Sequence, residues 1–591
     1  VDVMPDSPTN NFAILNELFL GNSAVILDGG LEVEPGGFSS SLYGTVSTFA
    51  IPKDKKIYIE AQCNDQQGNY WTAGFATNTS LLNGPSSNNI GSSGSIMAYN
   101  RSVFVNGTEI DYGSSFGLGG LGSGVSKLAA GDVLGCMIDG ATGKVWFSRN
   151  GTYFQSPSTD NSGSTGDPDG GNNEIGTLTG GTTDDVFFVV SGDGGANDVF
   201  VNFGQDTQNV SSANADANDI GTFEYAPPTN YVALCAANLT DPDIGPNKGQ
   251  QADDNFNTVL YTGDGTSSNS ITGVGFQPDW LWIKNRLRSS ISHVLVDSVR
   301  GIGDNGVNLH TLSSDNDDPE FDQADADGVS SLNADGFTVG YTNSNAFNQS
   351  TDSYVAWNWK AGGTAVSNGN GTITSNVSAN QDAGFSIVSF TGNSTNPSTI
   401  GHGLSQAPEW IIYKSRDATN GTWYVTSDDI GWTHRLKLDT TANTASSTAL
   451  WNDTAPTSSV FTISSSLNYN GDAIIAYCFH SVEGYSKVGQ YKGGGSSLPF
   501  IHTGFRPAWV LLKVSSTTNN WFIYDNEREG FNEENDTLSP NENAVEDNTY
   551  HLDFVSNGFK IRGTQNAHNQ SGQTFIYLAF AEAPQKYSNA R

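Results

Sequence analysis

The sequence predicts an all-β protein, a multidomain string of antiparallel β-sandwiches. Three observations lead there. Charged residues fill only 15% of the 591 positions while Gly alone numbers 68, and long solvated helices need Lys, Glu and Arg along their outer faces. Short runs of alternating apolar residues recur between Gly, Asn, Asp and Ser, as in Lys56 to Ala61, Val133 to Ile138, Lys144 to Ser148, Val186 to Val190 and Val199 to Phe203; this is strand-and-turn punctuation. Aromatic residues reach 11%, enough large buried area to offset chain entropy, so disorder is excluded.

The formal net charge of −36 opposes nucleic acid, whose phosphates would be repelled. No apolar run approaches the roughly 18 residues of a membrane span, so no membrane insertion is expected. Cys63, Cys136, Cys235 and Cys478 are widely spaced with no C-x-x-C pair, which fits neither a disulfide framework nor a zinc site. The expected setting is soluble and extracellular. Val1 in place of an initiator Met leads us to expect a processed or truncated chain.

Around residues 225–255 the chain is rich in Pro, Asn and Gly, and Pro227 and Pro228 cannot both donate to a sheet ladder. A linker is expected over 208–255. Beyond it one pattern occurs three times: Gly275 to Lys284, Gly403 to Lys414 and Gly504 to Lys513. Each copy is a turn closed by Pro278, Pro408 or Pro507, then a strand opened by Trp280, Trp410 or Trp509. A second aromatic strand follows each copy (His293 to Val296, Trp423 to Val425, Trp521 to Tyr524), and each ends on an aromatic-rich strand (Tyr354 to Trp359, Ile474 to Phe479, Phe575 to Phe580). Repeats of this length are whole domains rather than solenoid units, and three β domains are expected over 256–363, 364–484 and 485–591.

Two resemblances rest on particular residues. Gly131 to Asp139 followed by Gly143 to Gly151, with Trp146 and Phe147 on opposite faces and Asn150-Gly151 as a tight turn, resembles the signature hairpin of SPRY domains. Val201 to Gln205 resembles the strand that closes that fold. The resemblance covers roughly residues 37–207 and implies a bent, lectin-related β-sandwich that binds partners through loops at one end. The opening stretch Asp6 to Asn16, within an N-terminal leader segment 1–36, resembles a motif preceding such domains in virion proteins of tailed bacteriophages, where a further upstream portion is expected. The three repeats, ending Ala579 to Pro584, look like an uncharacterised domain of marine phage structural proteins.

Together these resemblances imply a non-enzymatic virion surface protein. It is expected as a tail-fibre or appendage subunit, a homo-oligomer with a trimer plausible, beside other virion proteins and binding a host-surface glycan or protein. A capsid or tail decoration role is the alternative, and a polysaccharide depolymerase the third.

Chemical motifs are sparse. Gly113 to Gly117 fits G-x-S-x-G and Gly117 to Gly122 fits G-x-G-x-x-G, but neither opens a helix, so both read as glycine-rich loop. Asp322, Asp325 and Asp327 with Gly328 resemble a calcium loop, yet Gln323 and Ala334 stand where an EF-hand needs its first and twelfth ligands. A solvated acidic loop is expected, with a structural calcium as the alternative and no other cofactor. Exposed Trp rings stack on sugars, which makes Trp432 and Trp451 the candidate glycan contacts; Trp280, Trp410 and Trp509 suit a shared core role.

Overall fold

The structure is a computed structural model, and it describes residues 11–20, 24–34, 43–63, 71–81, 93–99, 102–111, 128, 130–157, 164–192, 198–205, 210–245, 248–323, 327–417, 421–447 and 449–583. The chain is all-β and divides into two compact units, one ending at Thr240 and the other spanning Asp241–Lys586.

In the first unit two antiparallel sheets face each other. One places Val25–Leu27, Glu32–Glu34, Val199–Asn202, Lys56–Cys63, Val133–Asp139, Lys144–Arg149 and Thr152–Tyr153 side by side. The other runs Tyr43–Val46, Val186–Gly192, Trp71–Thr77, Ser95–Tyr99, Ser102–Val105 and Thr108–Asp111. Alternation decides what fills the space between them: Ile57, Ile59, Leu134, Cys136 and Phe147 point inward against Phe75, Ile96 and Phe188. Trp146, one residue before Phe147, faces the other way. Asn150 (φ 49°) and Gly151 (φ 78°) join Arg149 to Thr152 as a two-residue hairpin, the backbone twist that Asn-Gly accommodates.

The structure corrects two expected boundaries. Residues 210–236 are not a linker. Phe223, Tyr231, Ala233 and Cys235 pack on Tyr58, Met137 and Trp146 over the outer face of the larger sheet, and Tyr231–Val232 pairs in parallel with Lys56–Cys63. The prolines punctuate this layer, but its aromatic residues bury it. The leader is likewise no separate segment where it is described: Ala13, Ile14 and Leu15 lie in the sandwich core, and Val25–Leu27 and Glu32–Glu34 are strands of the larger sheet.

The second unit holds the three repeats, and each builds a large inner sheet under a small outer one. The inner sheet centres on Trp280–Asn285 paired with Ser353–Trp359, on Trp410–Ser415 paired with Ala473–Phe479, and on Arg506–Val514 paired with Thr574–Ala583. The outer sheets carry Gly336–Gly340, Val460–Ile463 and Gly558–Ile561. Side chains alternate across the inner sheets. Leu281 and Ile283 face the first repeat's own core, and Ile411 and Tyr413 that of the second. Trp280, Trp282, Trp410, Ile412, Trp509 and Leu511 instead meet in one core shared by all three repeats.

That shared core corrects the expectation of three separate domains. Trp280 stacks on Tyr477 of the second repeat, centroids 4.4 Å apart, and Trp359 meets Trp509 of the third edge-to-face at 5.3 Å. Each inner sheet has two apolar faces, so a repeat alone would leave one in water. The other two repeats cover it.

Candidate functional site

Polar contacts between the repeats form a closed cycle. Register makes Trp357, Tyr477 and Leu578 equivalent, and likewise Asp297, Ser427 and Asp525. The Tyr477 hydroxyl of the second repeat donates to Asp297 of the first at 2.8 Å, and the Trp357 indole of the first donates to Asp525 of the third at 2.9 Å. The third repeat turns toward the second in the same sense: the Trp521 indole donates to the Lys437 carbonyl at 2.8 Å. Its counterpart Trp423 donates from the second repeat to the Ser313 carbonyl of the first at 2.8 Å. A cycle of equivalent contacts is a threefold arrangement, closed within one chain.

Ion pairs reinforce two of the three interfaces. Glu320 of the first repeat takes Arg300 at 3.0 Å and Arg416 of the second at 2.5 Å. Glu546 of the third takes Arg528 at 3.3 Å and Arg286 of the first at 2.5 Å. The third interface has no counterpart among the described residues. There the Thr444 amide donates to the Ser515 carbonyl at 2.8 Å.

A buried lysine closes the inward row of each inner sheet. Lys284, Lys414 and Lys513 are each 0% exposed, and each ammonium donates to a carbonyl of its own hairpin turn: Ile291, Gly421 and Asn519 respectively. Lys513 also reaches Thr441 of the second repeat at 3.1 Å. Burial pushes Lys284 and Lys414 down to about 8, opposed by Asp315 and Asp439 respectively. Asn541 takes the acid's place in the third repeat, its side chain accepting the Trp521 amide at 2.8 Å, and Lys513 falls to about 7 by burial alone. These groups are cement, holding turns and repeats in place.

The surface such a body presents lies at its turns. The strands Val294–Asp297, Tyr424–Ser427 and Trp521–Asp525 all end opposite the Trp that opens the first hairpin strand. A threefold arrangement therefore sets the turns that follow at one level along its axis. Each turn passes through a left-handed glycine, Gly301 (φ 72°), Gly431 (φ 77°) or Gly530 (φ 79°). A Cβ there would meet nothing within 4 Å, so the backbone angle and not crowding selects glycine. The next residue is apolar in all three: Ile302, Trp432 and Phe531. Ile302 is 57% exposed and Phe531 67%, but Trp432 only 8%.

Trp432 is withdrawn because the second repeat covers it. Its ring meets Trp451 edge-to-face at 6.4 Å, its indole donates to Asp428 at 2.5 Å, and Trp451 is 0% exposed in the core beneath the second repeat's outer sheet. Neither ring offers a face to a sugar, which corrects their assignment as glycan contacts. Sequence context misleads here because the loops around both residues are polar while the rings pack on each other.

In the third repeat the turn is fixed. Asn532 donates to the Phe554 carbonyl and accepts the Phe554 amide, both at 2.8 Å, while Glu534 and Leu552 exchange backbone bonds at 2.7 and 3.1 Å. Beside it, His551 lies 2.8 Å from Glu533, and Arg562 2.6 Å from Asp553. Glu534 is 2% exposed, with no hydrogen-bond partner for either carboxyl oxygen among the described residues, and burial pushes its carboxyl up to about 8. A Gly-aromatic pair at the position of Gly431-Trp432 was the signal available in the sequence.

The acidic loop does other work. Asp327 accepts the amides of Thr342, Asn343 and Ser344 at 2.6 to 3.0 Å and the Thr342 hydroxyl at 2.8 Å, so its lone pairs are committed to pinning a turn. Asp322 contacts His310 at 2.7 Å and accepts the Asp304 amide at 2.6 Å. Asp325 lies outside the described residues, as do Gly113 to Gly122. No group of three or more His, Cys, Asp and Glu side chains among the described residues is placed to hold a metal. Pro278, Pro408 and Pro507 are buried at the mouths of the inner strands, beside Trp280, Trp410 and Trp509 in the shared core. Trp146 is buried, and its indole donates to the Asn172 carbonyl at 2.8 Å.

Residues 251–584 match the model of a protein family, DUF7483, a domain of unknown function, and so span more than half of the 591 residues. The chain belongs to the DUF7483 family. No curated protein matches it. The DUF7483 span takes in all three repeats at once. It opens next to Ala252, a member of the shared core, and closes just after the strand Thr574–Ala583, as expected if the three-repeat body and not the single repeat is the unit of the family.

Proposed function

We propose that the chain is a bacteriophage virion surface protein, a tail-fibre or appendage subunit that binds a host-surface glycan or protein and performs no catalysis. One observation carries the reading. A body built from three interlocked repeats carries a turn at the equivalent place in each, and two of these turns hold an apolar side chain, Ile302 and Phe531, out in solvent. Buried polar groups such as Tyr477, Trp357 and Trp423 hold the repeats together, which suits a scaffold that presents loops. Display in several copies on a particle, for which a trimer is the natural symmetry of a fibre, turns weak site affinities into firm attachment.

The test is adhesion. Fluorescently labelled protein should stain cells of a susceptible bacterial host and protect them from infection. Protein that ignores such cells and instead binds particles stripped of their surface proteins would replace this reading with the decoration role. Release of reducing ends from host polysaccharide would replace it with depolymerase activity.

A further inference from the structure

We propose that the turn Gly530 to Glu534 is a saccharide subsite whose ligand carries no negative charge, an inference that rests on the adhesin reading and deepens it. Phe531 offers a ring 67% exposed on a turn held by four hydrogen bonds to the backbone of Leu552 and Phe554. An aromatic side chain kept exposed pays a hydration penalty, and a fixed backbone means that little ordering entropy is lost when a flat apolar face is laid on it. The C–H face of a pyranose is such a face.

Polar groups on the turn and on the strands it is bonded to are of the kind the rim of a sugar requires. Glu533 is about half exposed and lies 2.8 Å from His551, and Arg562 with Asp553 forms a second charged pair; these are donors and acceptors for hydroxyls. Glu534, in the same turn, is a buried carboxyl with both oxygens unpartnered among the described residues, a group that gains from any hydroxyl or water brought to it. Sign of charge narrows the class. Asp525 with Arg528, Asp553 with Arg562 and Arg506 with Glu582 are paired, which leaves Glu529 and Glu533 against Lys560 in and around the turn, on a chain of net charge −36. Sialic and uronic acids are repelled, whereas neutral hexoses and N-acetylhexosamines are not.

The other two repeats serve as internal controls. Ile302 has no ring to stack, and Trp432 is buried against Trp451. Of the three turns, that of the third repeat alone offers an exposed ring.

The experiment uses the full chain and three forms of it: unaltered, Phe531→Ala and Phe531→Trp. Each is applied to an array of neutral hexose, N-acetylhexosamine, sialylated and uronate-containing oligosaccharides, and to bacterial cells that the unaltered protein stains. Binding to neutral or N-acetylated glycans is expected, reduced roughly tenfold by Phe531→Ala and retained by Phe531→Trp, with unchanged melting temperatures. Equal binding by Phe531→Ala, a preference for sialylated or uronate glycans, or cell staining abolished by protease but not by periodate would overturn the proposal. If the unaltered protein stains no cells, the adhesin reading itself falls. If it stains cells and Phe531→Ala stains them equally, only the subsite falls.

Discussion

The hydroxyl of Tyr477 donates to Asp297 at 2.8 Å across the interface between the second and first repeats. Trp357 makes the equivalent contact with Asp525 at 2.9 Å. At the third position of the cycle both partners change together: the acceptor is Ser427 and the donor has become Leu578. Arg300 and Arg528, which pair with Asp297 and Asp525 at 2.5 and 2.6 Å, give way to Ile430. Two interfaces are thus joined by a buried charge pair with an added donor, and one has lost acid, cation and donor alike.

These substitutions separate the interfaces energetically. Asp525→Ala takes the nearer carboxylate from the Arg528 guanidinium, whose side chain is 0% exposed and which keeps Glu546 at 3.3 Å, and removes the acceptor of Trp357. The expected cost is about 3 kcal/mol, the lower end for breaking a buried ion pair, because Glu546 still offsets part of the charge. Ser427→Ala removes a hydroxyl that already lacks a partner among the described residues and should change stability by less than about 0.5 kcal/mol. Urea titrations of the two variants against the parent measure both.

Lys513 makes the second unit pH-sensitive. Its amine is lowered to about 7 from an ordinary 10.5, so between these values the unfolded chain holds a proton that the folded chain has released. Stability therefore rises with pH across that window, by about 1.4 kcal/mol per unit from this group. Below about pH 7 both states are protonated and the desolvation penalty is present in full. Lys284 and Lys414 add the same slope only above about 8. The difference in unfolding free energy between the parent and Lys513→Met should accordingly change between pH 7 and 10 and lie flat below 6; a flat difference throughout would show that Lys513 titrates normally.

Much of this was legible in the sequence, and the reasons for the rest are physical. Trp280, Trp410 and Trp509 open equivalent strands because a local pattern of turn, Pro and Trp writes itself into each repeat. The closure of the cycle is not local: Tyr477 lies 180 residues from Asp297, and Trp357 168 from Asp525. A hydrophobic pattern shows that an inner strand such as Trp280–Asn285 is apolar on both faces, yet it does not say what covers the second face. Trp432 was misplaced for the same reason, since Trp451, 19 positions on, covers it through space. Phe531 occupies the matching position without such a cover.

The packed stretch after residue 209 can be tested directly. Phe223 is 0% exposed and meets Tyr58 edge-to-face at 5.1 Å. Phe223→Ala should destabilise the first unit by about 3–5 kcal/mol and leave the second unchanged. Substitution of a linker residue would leave both units unchanged.

Trp451 gives the complementary test of the turns. Trp451→Ala opens a cavity beside Trp432 and Tyr413, with an expected loss of about 3–5 kcal/mol. At temperatures where the variant remains folded, its staining of bacterial cells should match the parent. A loss of staining without loss of structure would return the second repeat to the binding surface.

Scanning calorimetry of the full chain with Trp410→Ala tests the interlocked body most directly. Trp410 is 0% exposed in the core shared by all three repeats. The account predicts that residues 241–586 melt in one transition, displaced as a whole to lower temperature by the substitution. A transition that splits, with the first and third repeats melting where they did before, would contradict it.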